Sequence, residues 1–314
     1  MGRGRELRGG EIGFLSMVLA TALATQISPA TSQAAPAPSP APRSVAIPFD
    51  PPLGRMLAYR MTSVEMRGGQ PQTMTLEMRI VFRRDGAGYV MTTTYDLPPG
   101  LPRGHPMVAV LMRPLELRLD ADGAIVGMVD EPAYWAGIDA IMDDIIRSLG
   151  ADTRATGAVR AAFRAMRDMP DEDRLGTIAR NVFPLVEYGG IEMAVGETRE
   201  EAFESETPLG PVAQEAAVTL EGIDGDTARL RSVARLAPGQ IERVTRHIQE
   251  RYGVTPRPEA GDAASQLPPE RVGTYRVSLR TGLTERYSQT VSTPARPGAA
   301  PAPPRQTRTI VRIP

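Results

Sequence analysis

Between Gln72 and Phe82 apolar and polar residues alternate. Met74, Leu76, Met78, Ile80 and Phe82 fall on one side, and Thr73, Thr75, Glu77 and Arg79 on the other. A period of two puts successive side chains on opposite faces of an extended chain, so the segment predicts a strand with one buried face. Asp85-Gly86, a favoured hairpin pair, leads into 88–95, where Tyr89, Met91, Thr93 and Tyr95 share a face. A preceding strand over about 55–66 joins through Gly68-Gly69, which completes a three-stranded meander. Leu115, Leu117 and Leu119 alternate with Glu116 and Arg118, turn at Asp120-Ala121-Asp122-Gly123 and return over 125–129.

The period then changes. Tyr134, Ile138, Ile141, Met142, Ile145, Ile146 and Leu149 recur at intervals of three and four behind Asp130, a natural N-cap, and Pro132, which suits a first turn. This predicts an amphipathic helix. Val159, Ala162, Phe163 and Met166 predict a second. Asp171-Glu172-Asp173 ahead of Leu175, Ile178 and Val182 predict a third, with carboxylates where the helix dipole favours them. Strands resume over 191–195, 198–203 and 212–220, turn at Asp224-Gly225 and return through Ala228, Leu230, Ser232 and Ala234, with Arg229, Arg231 and Arg235 on the opposite face. Pro238 opens a helix carrying Ile241, Val244, Ile248 and Tyr252. A hairpin around Thr281-Gly282 and a terminal strand over 307–313 end the chain.

Half-exposed strands joined by tight turns predict an antiparallel sheet with one wet face, and the helices must cover the other. The expected fold class is α+β: a curved antiparallel sheet or open half-barrel packed against a helical layer. Residues 1–34 read as a leader, 35–52 as a Pro/Ala-rich tether, 53–292 as a single domain, and 293–314 as a Pro-rich tail with a possible terminal strand. An alternative cut falls near residue 187, and a loop insertion occupies 255–270.

The leader changes the picture most. Arg3, Arg5 and Arg8 precede an apolar run over 12–24, and Ser32-Gln33-Ala34 supplies a small-residue cleavage site, the pattern of a secretory signal peptide cut near Ala34. The run is too short for a bilayer-spanning helix, and no later segment has one. The expected destination is the periplasm or the exterior, with no stable membrane span after cleavage. Net charge is −1, which gives no global field to recruit nucleic acid. Cys is absent and all 36 basic residues are Arg, so thiol chemistry, a Schiff base and a P-loop lysine are excluded.

The order of leader, meander, helical insertion, returning hairpins and a late strand pair containing Thr281-Gly282-Leu283 resembles uncharacterised exported proteobacterial proteins similar to the periplasmic lipoprotein-carrier half-barrels. The resemblance implies an apolar concavity between sheet and helices that receives acyl chains, so a lipid or other apolar partner is expected.

Candidate chemistry is sparse. No G-x-S-x-G string exists. His105 lies in a loop, and His247 lies on a helix flank between Arg243 and Arg251. Two histidines exclude a multi-histidine metal site. Asp139, Asp143 and Asp144 lie close on the first helix, and Glu197, Glu200, Glu201, Glu204 and Glu206 form an acidic run that could meet cations and reads equally as a sheet edge protected against aggregation. The turn at 120–123 lacks the later ligands of a calcium loop. No cofactor or metal is expected. The candidate ligand-binding residues are Tyr134 and Trp135, as an aromatic platform, with Met74, Met78 and Met91, whose thioethers suit an adaptable apolar pocket. The Arg229, Arg231 and Arg235 stripe could meet phosphate or an anionic head group. The expected function is a non-catalytic binding or envelope-associated module for an apolar or amphiphilic ligand. A carboxylate-based hydrolase and a structural adaptor tethered by its Pro-rich ends are the alternatives.

Overall fold

A computed structural model describes residues 44–67, 70–96, 112–149, 164, 167–207, 210–237, 239–240, 242–243, 246, 270–292 and 304–314. In chain order the elements are β1 (Ser44–Ile47), β2 (Leu57–Arg67), β3 (Gln70–Asp85), β4 (Gly88–Asp96), β5 (Leu115–Leu119), β6 (Ile125–Met128), α1 (Glu131–Leu149), α2 (Asp171–Ala179), α3 (Phe183–Val186), β7 (Ile191–Ala194), β8 (Thr198–Thr207), β9 (Gly210–Asp224), β10 (Thr227–Leu236), β11 (Glu270–Ser278), β12 (Thr284–Ser292) and β13 (Gln306–Ile313). The predicted second helix, most of the helix after Pro238, His105, His247 and the leader lie outside the described residues.

Eleven strands make one curved antiparallel sheet in the order β6-β5-β4-β3-β2-β13-β12-β11-β10-β9-β8, and β1 pairs separately with β7. The early and late meanders are therefore two wings, and the final strand joins them, pairing with β2 on one side and β12 on the other. Register shows what this accomplishes. One row runs straight across seven strands through Leu76, Met61, Ile310, Tyr287, Tyr275, Leu230 and Leu220, all of them buried. This row is the spine of a single apolar cluster that spans both wings.

The cover over that row is built from short pieces. Pro184, Leu185 and Val186 of α3 are buried, and Tyr188 lies edge-on to Tyr275 with ring centroids 4.6 Å apart. Ala179 at the end of α2 and Val182 at the start of α3, with Ile191 and Met193 of β7, complete it. The expected helical layer is thus mostly a turn-rich segment around two short helices. Trp135 and Ile138 of α1 are buried but belong to no part of the main cluster.

Three expectations need correction. Residues 44–52 do not belong to a tether: β1 pairs with β7, and Ile47 and Phe49 are in the core, because apolar residues at 45, 47 and 49 alternate just past the Pro/Ala run. The cut near residue 187 falls inside the core, where the Glu187 carboxylate accepts a hydrogen bond from the Tyr275 hydroxyl at 3.0 Å. Met74 shares the face of Leu76 and Met78 but is 49% exposed, because the cover ends before reaching it.

Local chemistry fixes the turns and caps. Asp130 Oδ1 accepts the Ala133 N–H at 3.0 Å as the predicted N-cap of α1. Asp120 Oδ1 accepts the N–H groups of Asp122 and Ala124 at 3.0 and 2.8 Å, which makes the 120–123 segment a side-chain-stabilised hairpin turn. Among the described residues no helix is long and apolar enough to cross a membrane.

Candidate functional site

Moving two residues along each strand from the buried row changes the inward face from apolar to polar. The next row holds Met74, Ser63, Arg308, Gln289, Gly273 and Ser232. Where this row emerges beyond α3, a cleft of about 350 Å³ opens between the sheet and the end of α2. Met61, Ser63, Glu65, Met74, Gln306 and Arg308 form its floor, and Thr177, Arg180 and Asn181 form its wall. The volume lies within the ~300–1,000 Å³ range of small-molecule sites.

The floor and the wall differ in exposure. Arg308 is only 8% exposed, whereas Arg180 is exposed and makes no hydrogen bond or ion pair among the described residues. Gln306 Nε2 donates to Ser63 Oγ at 3.5 Å. Burial pushes the nearby Tyr95 hydroxyl up to about 12, opposed by its hydrogen bond with Asn181 and by the charge of Arg308, so it stays neutral. Two guanidinium groups, two hydroxyls and two amides against the one carboxylate of Glu65 give a lining rich in donors. Such a lining suits a carboxylate or phosphate head group, and Met61 and Met74 add apolar contact beside it.

The predicted candidates are dispersed by the fold. Met74 is at the cleft. Met78 and Met91 are fully buried, Met78 opposite Tyr59 and Tyr95, Met91 opposite Phe82 and Leu117. Tyr134 is half-buried against the core, with the Arg113 guanidinium 5.8 Å from its ring centre. Trp135 is 4% exposed. Its Nε1–H donates to Glu131 at 3.0 Å, and the guanidinium groups of Arg167 and Arg174 lie 5.0 and 5.7 Å from its ring. The protein's own cations thus lie over this ring. Arg174 also pairs with Glu131 and Asp171, each at 2.6 Å, and its proton is held more tightly than usual because these bonds outweigh its desolvation.

Several of the carboxylates outside the cleft are engaged by the chain itself. Asp139 pairs with Arg167 at 2.9 Å and Asp144 with Arg147 at 2.7 Å. Glu197 accepts the Ala194 N–H at 2.7 Å and the Arg199 Nε–H at 2.8 Å, and these bonds, the backbone one first, hold its carboxyl below the usual range. Glu201 differs. It faces a second opening of about 610 Å³ over β8–β10, its Oε2 is buried without a hydrogen-bond partner, and burial raises its carboxyl to about 7.

Of the residues that line this cleft, sequence reading singled out Met74 and passed over Arg180, Arg308, Ser63 and Gln306. The only signal for Arg308 was an arginine on the inward side of the strand predicted over 307–313, beside the apolar Ile310. That signal was usable only once the strand was known to lie mid-sheet. The chain matches no protein-family model, and no curated protein matches it in sequence.

Proposed function

We propose that this protein is an exported binding module of the cell envelope whose cleft beside Arg180 and Arg308 takes a small amphiphile with an anionic head. The leader over 1–34 supports delivery to the periplasm, and mature protein recovered there with an N-terminus at Ala35 would test that part. The open half-barrel with its partial helical cover is the frame of the reading. The single observation that carries it is the step from the buried apolar row to the donor-rich row around Arg308. The head group sits against the guanidinium groups and the tail follows Met61 and Met74. The deep concave face is filled by the chain's own side chains, so a short or bent tail fits better than a long extended one.

Titration calorimetry with dodecyl phosphate and a fluorescent fatty acid tests this. Saturable binding that falls roughly tenfold in Arg180→Gln, with melting unchanged, supports it. Absence of binding, or binding indifferent to Arg180→Gln, rejects it. A second reading, hydrolysis by dispersed carboxylates, is supported by Glu201, whose raised carboxyl suits a general acid. Turnover on a glycan or ester panel that Glu201→Gln abolishes would favour it over the first.

A further inference from the structure

The outward face of the sheet carries an arrangement that folding alone disfavours. Arg229 of β10 lies directly opposite Arg276 of β11, which lies directly opposite Arg286 of β12. Three exposed arginines therefore occupy facing positions on strands ~4.8 Å apart, where like charges destabilise a sheet, with the Arg229 guanidinium leaning over Gly222 of β9. Asp224 is 3.5 Å from Arg276. Arg229 and Arg286 have no carboxylate partner among the described residues, nor has the exposed Arg231 one step along β10. The same row continues through Val311 to Arg60, which Glu77 neutralises at 2.8 Å.

The neighbouring row adds hydroxyls. Thr62, Thr309, Ser288 and Thr274 lie opposite one another in succession and lead to Arg231. Guanidinium and hydroxyl groups are the side chains that donate to phosphate oxygens, and here they form two parallel lines on adjacent strands. The patch is bounded by Glu215 and Glu200 toward the β8 edge and by Arg235, which Glu270 holds at 2.8 Å.

We infer that this outward array docks the protein on the surface of an anionic phospholipid bilayer. A row of cations at one level engages the phosphates of several lipids together, whereas a single soluble anion reaches only one or two of them. The surface potential of anionic lipid supplies the counter-charge that the fold omits. The array lies on the opposite face of the sheet from the cleft, so this inference stands or falls separately from the proposed ligand.

The test is sedimentation of the protein with vesicles of phosphatidylglycerol and phosphatidylethanolamine, against phosphatidylcholine vesicles. Binding to the anionic vesicles alone, reversed by high salt, is expected. The combined Arg229→Gln, Arg276→Gln, Arg286→Gln variant is expected to partition about 100-fold more weakly, roughly fivefold per arginine. It should melt at or above the parent temperature, because it relieves the repulsion. Arg286→Gln alone gives the fivefold step should the triple variant fail to fold. Three results would overturn the inference: no binding to anionic vesicles at low salt, parent-like partition of the variants, or retention on soluble polyphosphate with none on vesicles.

Discussion

Ile310 lies directly opposite Met61 in the ladder between β13 and β2, so a residue next to the C-terminus is packed against the first wing of the sheet. Across its other side it meets Tyr287 of the second wing. Ile310 is the one apolar side chain through which the buried row passes from wing to wing, and it is fully buried. Ile310→Ala should cost about 2–5 kcal/mol, the usual range for emptying a buried isoleucine site, and urea unfolding would measure it. Deleting residues 304–314 exposes the long edges of β2 and β12 at once. The truncated protein should lose its single cooperative transition and self-associate on size exclusion. A monomer with the parent's melting curve would contradict the role assigned to β13.

Much of the sheet could be read from alternation. The faces of β3, β4, β5 and β10, the hairpins at Asp85-Gly86 and Asp224-Gly225, and the cap at Asp130 rest on local rules of period and turn chemistry, and these operate within a few residues. The place of β13 could not be read this way. Whether Thr307–Ile313 decorates an edge or fills a slot depends on Met61 and Tyr287, both distant in sequence. The cleft was hidden for the same reason: Arg308, Ser63 and Arg180 meet only because β13 pairs with β2 and α2 ends above them. Met74 shows the limit of a face argument, since its side was read correctly but the extent of the cover was not.

Gly282 tests how the start of the fold is locked to its end. It adopts φ +70°, and a Cβ there would lie 1.9 Å from the Pro48 carbonyl oxygen, a backbone atom with nowhere to yield. The adjoining Asp50 N–H donates to the Thr281 carbonyl at 3.0 Å. Gly282→Ala should therefore cost more than the ~1 kcal/mol of a positive φ alone and should loosen β1. Gly225→Ala, at φ +58° with open space around it, supplies the control at about 1 kcal/mol. Equal melting of the two variants would remove the argument from close approach.

The two methionines on β3 should separate stability from binding. Met78 is fully buried, and Met78→Ala is expected to cost about 2–5 kcal/mol. Met74, half-exposed at the mouth of the cleft, should change stability by less than about 0.5 kcal/mol when cut to alanine, while weakening the amphiphile several-fold. Paired melting and calorimetry on both variants would show the split, and a destabilised Met74→Ala would place that side chain in the core after all.

Glu201 makes a prediction of opposite sign to ordinary acid denaturation. Its carboxyl is raised to about 7 by burial, against a usual value near ~4.3 in an unfolded chain. Below the lower value both states hold the proton and burial carries no charge penalty. As the pH rises through this window the unfolded chain ionises first, so the folded state binds more protons and stability falls until the folded group also ionises near 7. Arg199 on the same strand moderates the effect, and solvent screening at a half-exposed site reduces it further, to the order of 1 kcal/mol. Glu201→Gln should be as stable as the parent at acid pH and more stable by about that amount above 7, a difference of roughly 2–4 °C in melting temperature. Glu197, held below the usual range, contributes the reverse slope in acid in both proteins, so the difference between parent and variant isolates Glu201. Parallel melting curves of the two from pH 4 to 8 would mean that the Glu201 carboxylate is fully hydrated in the folded protein.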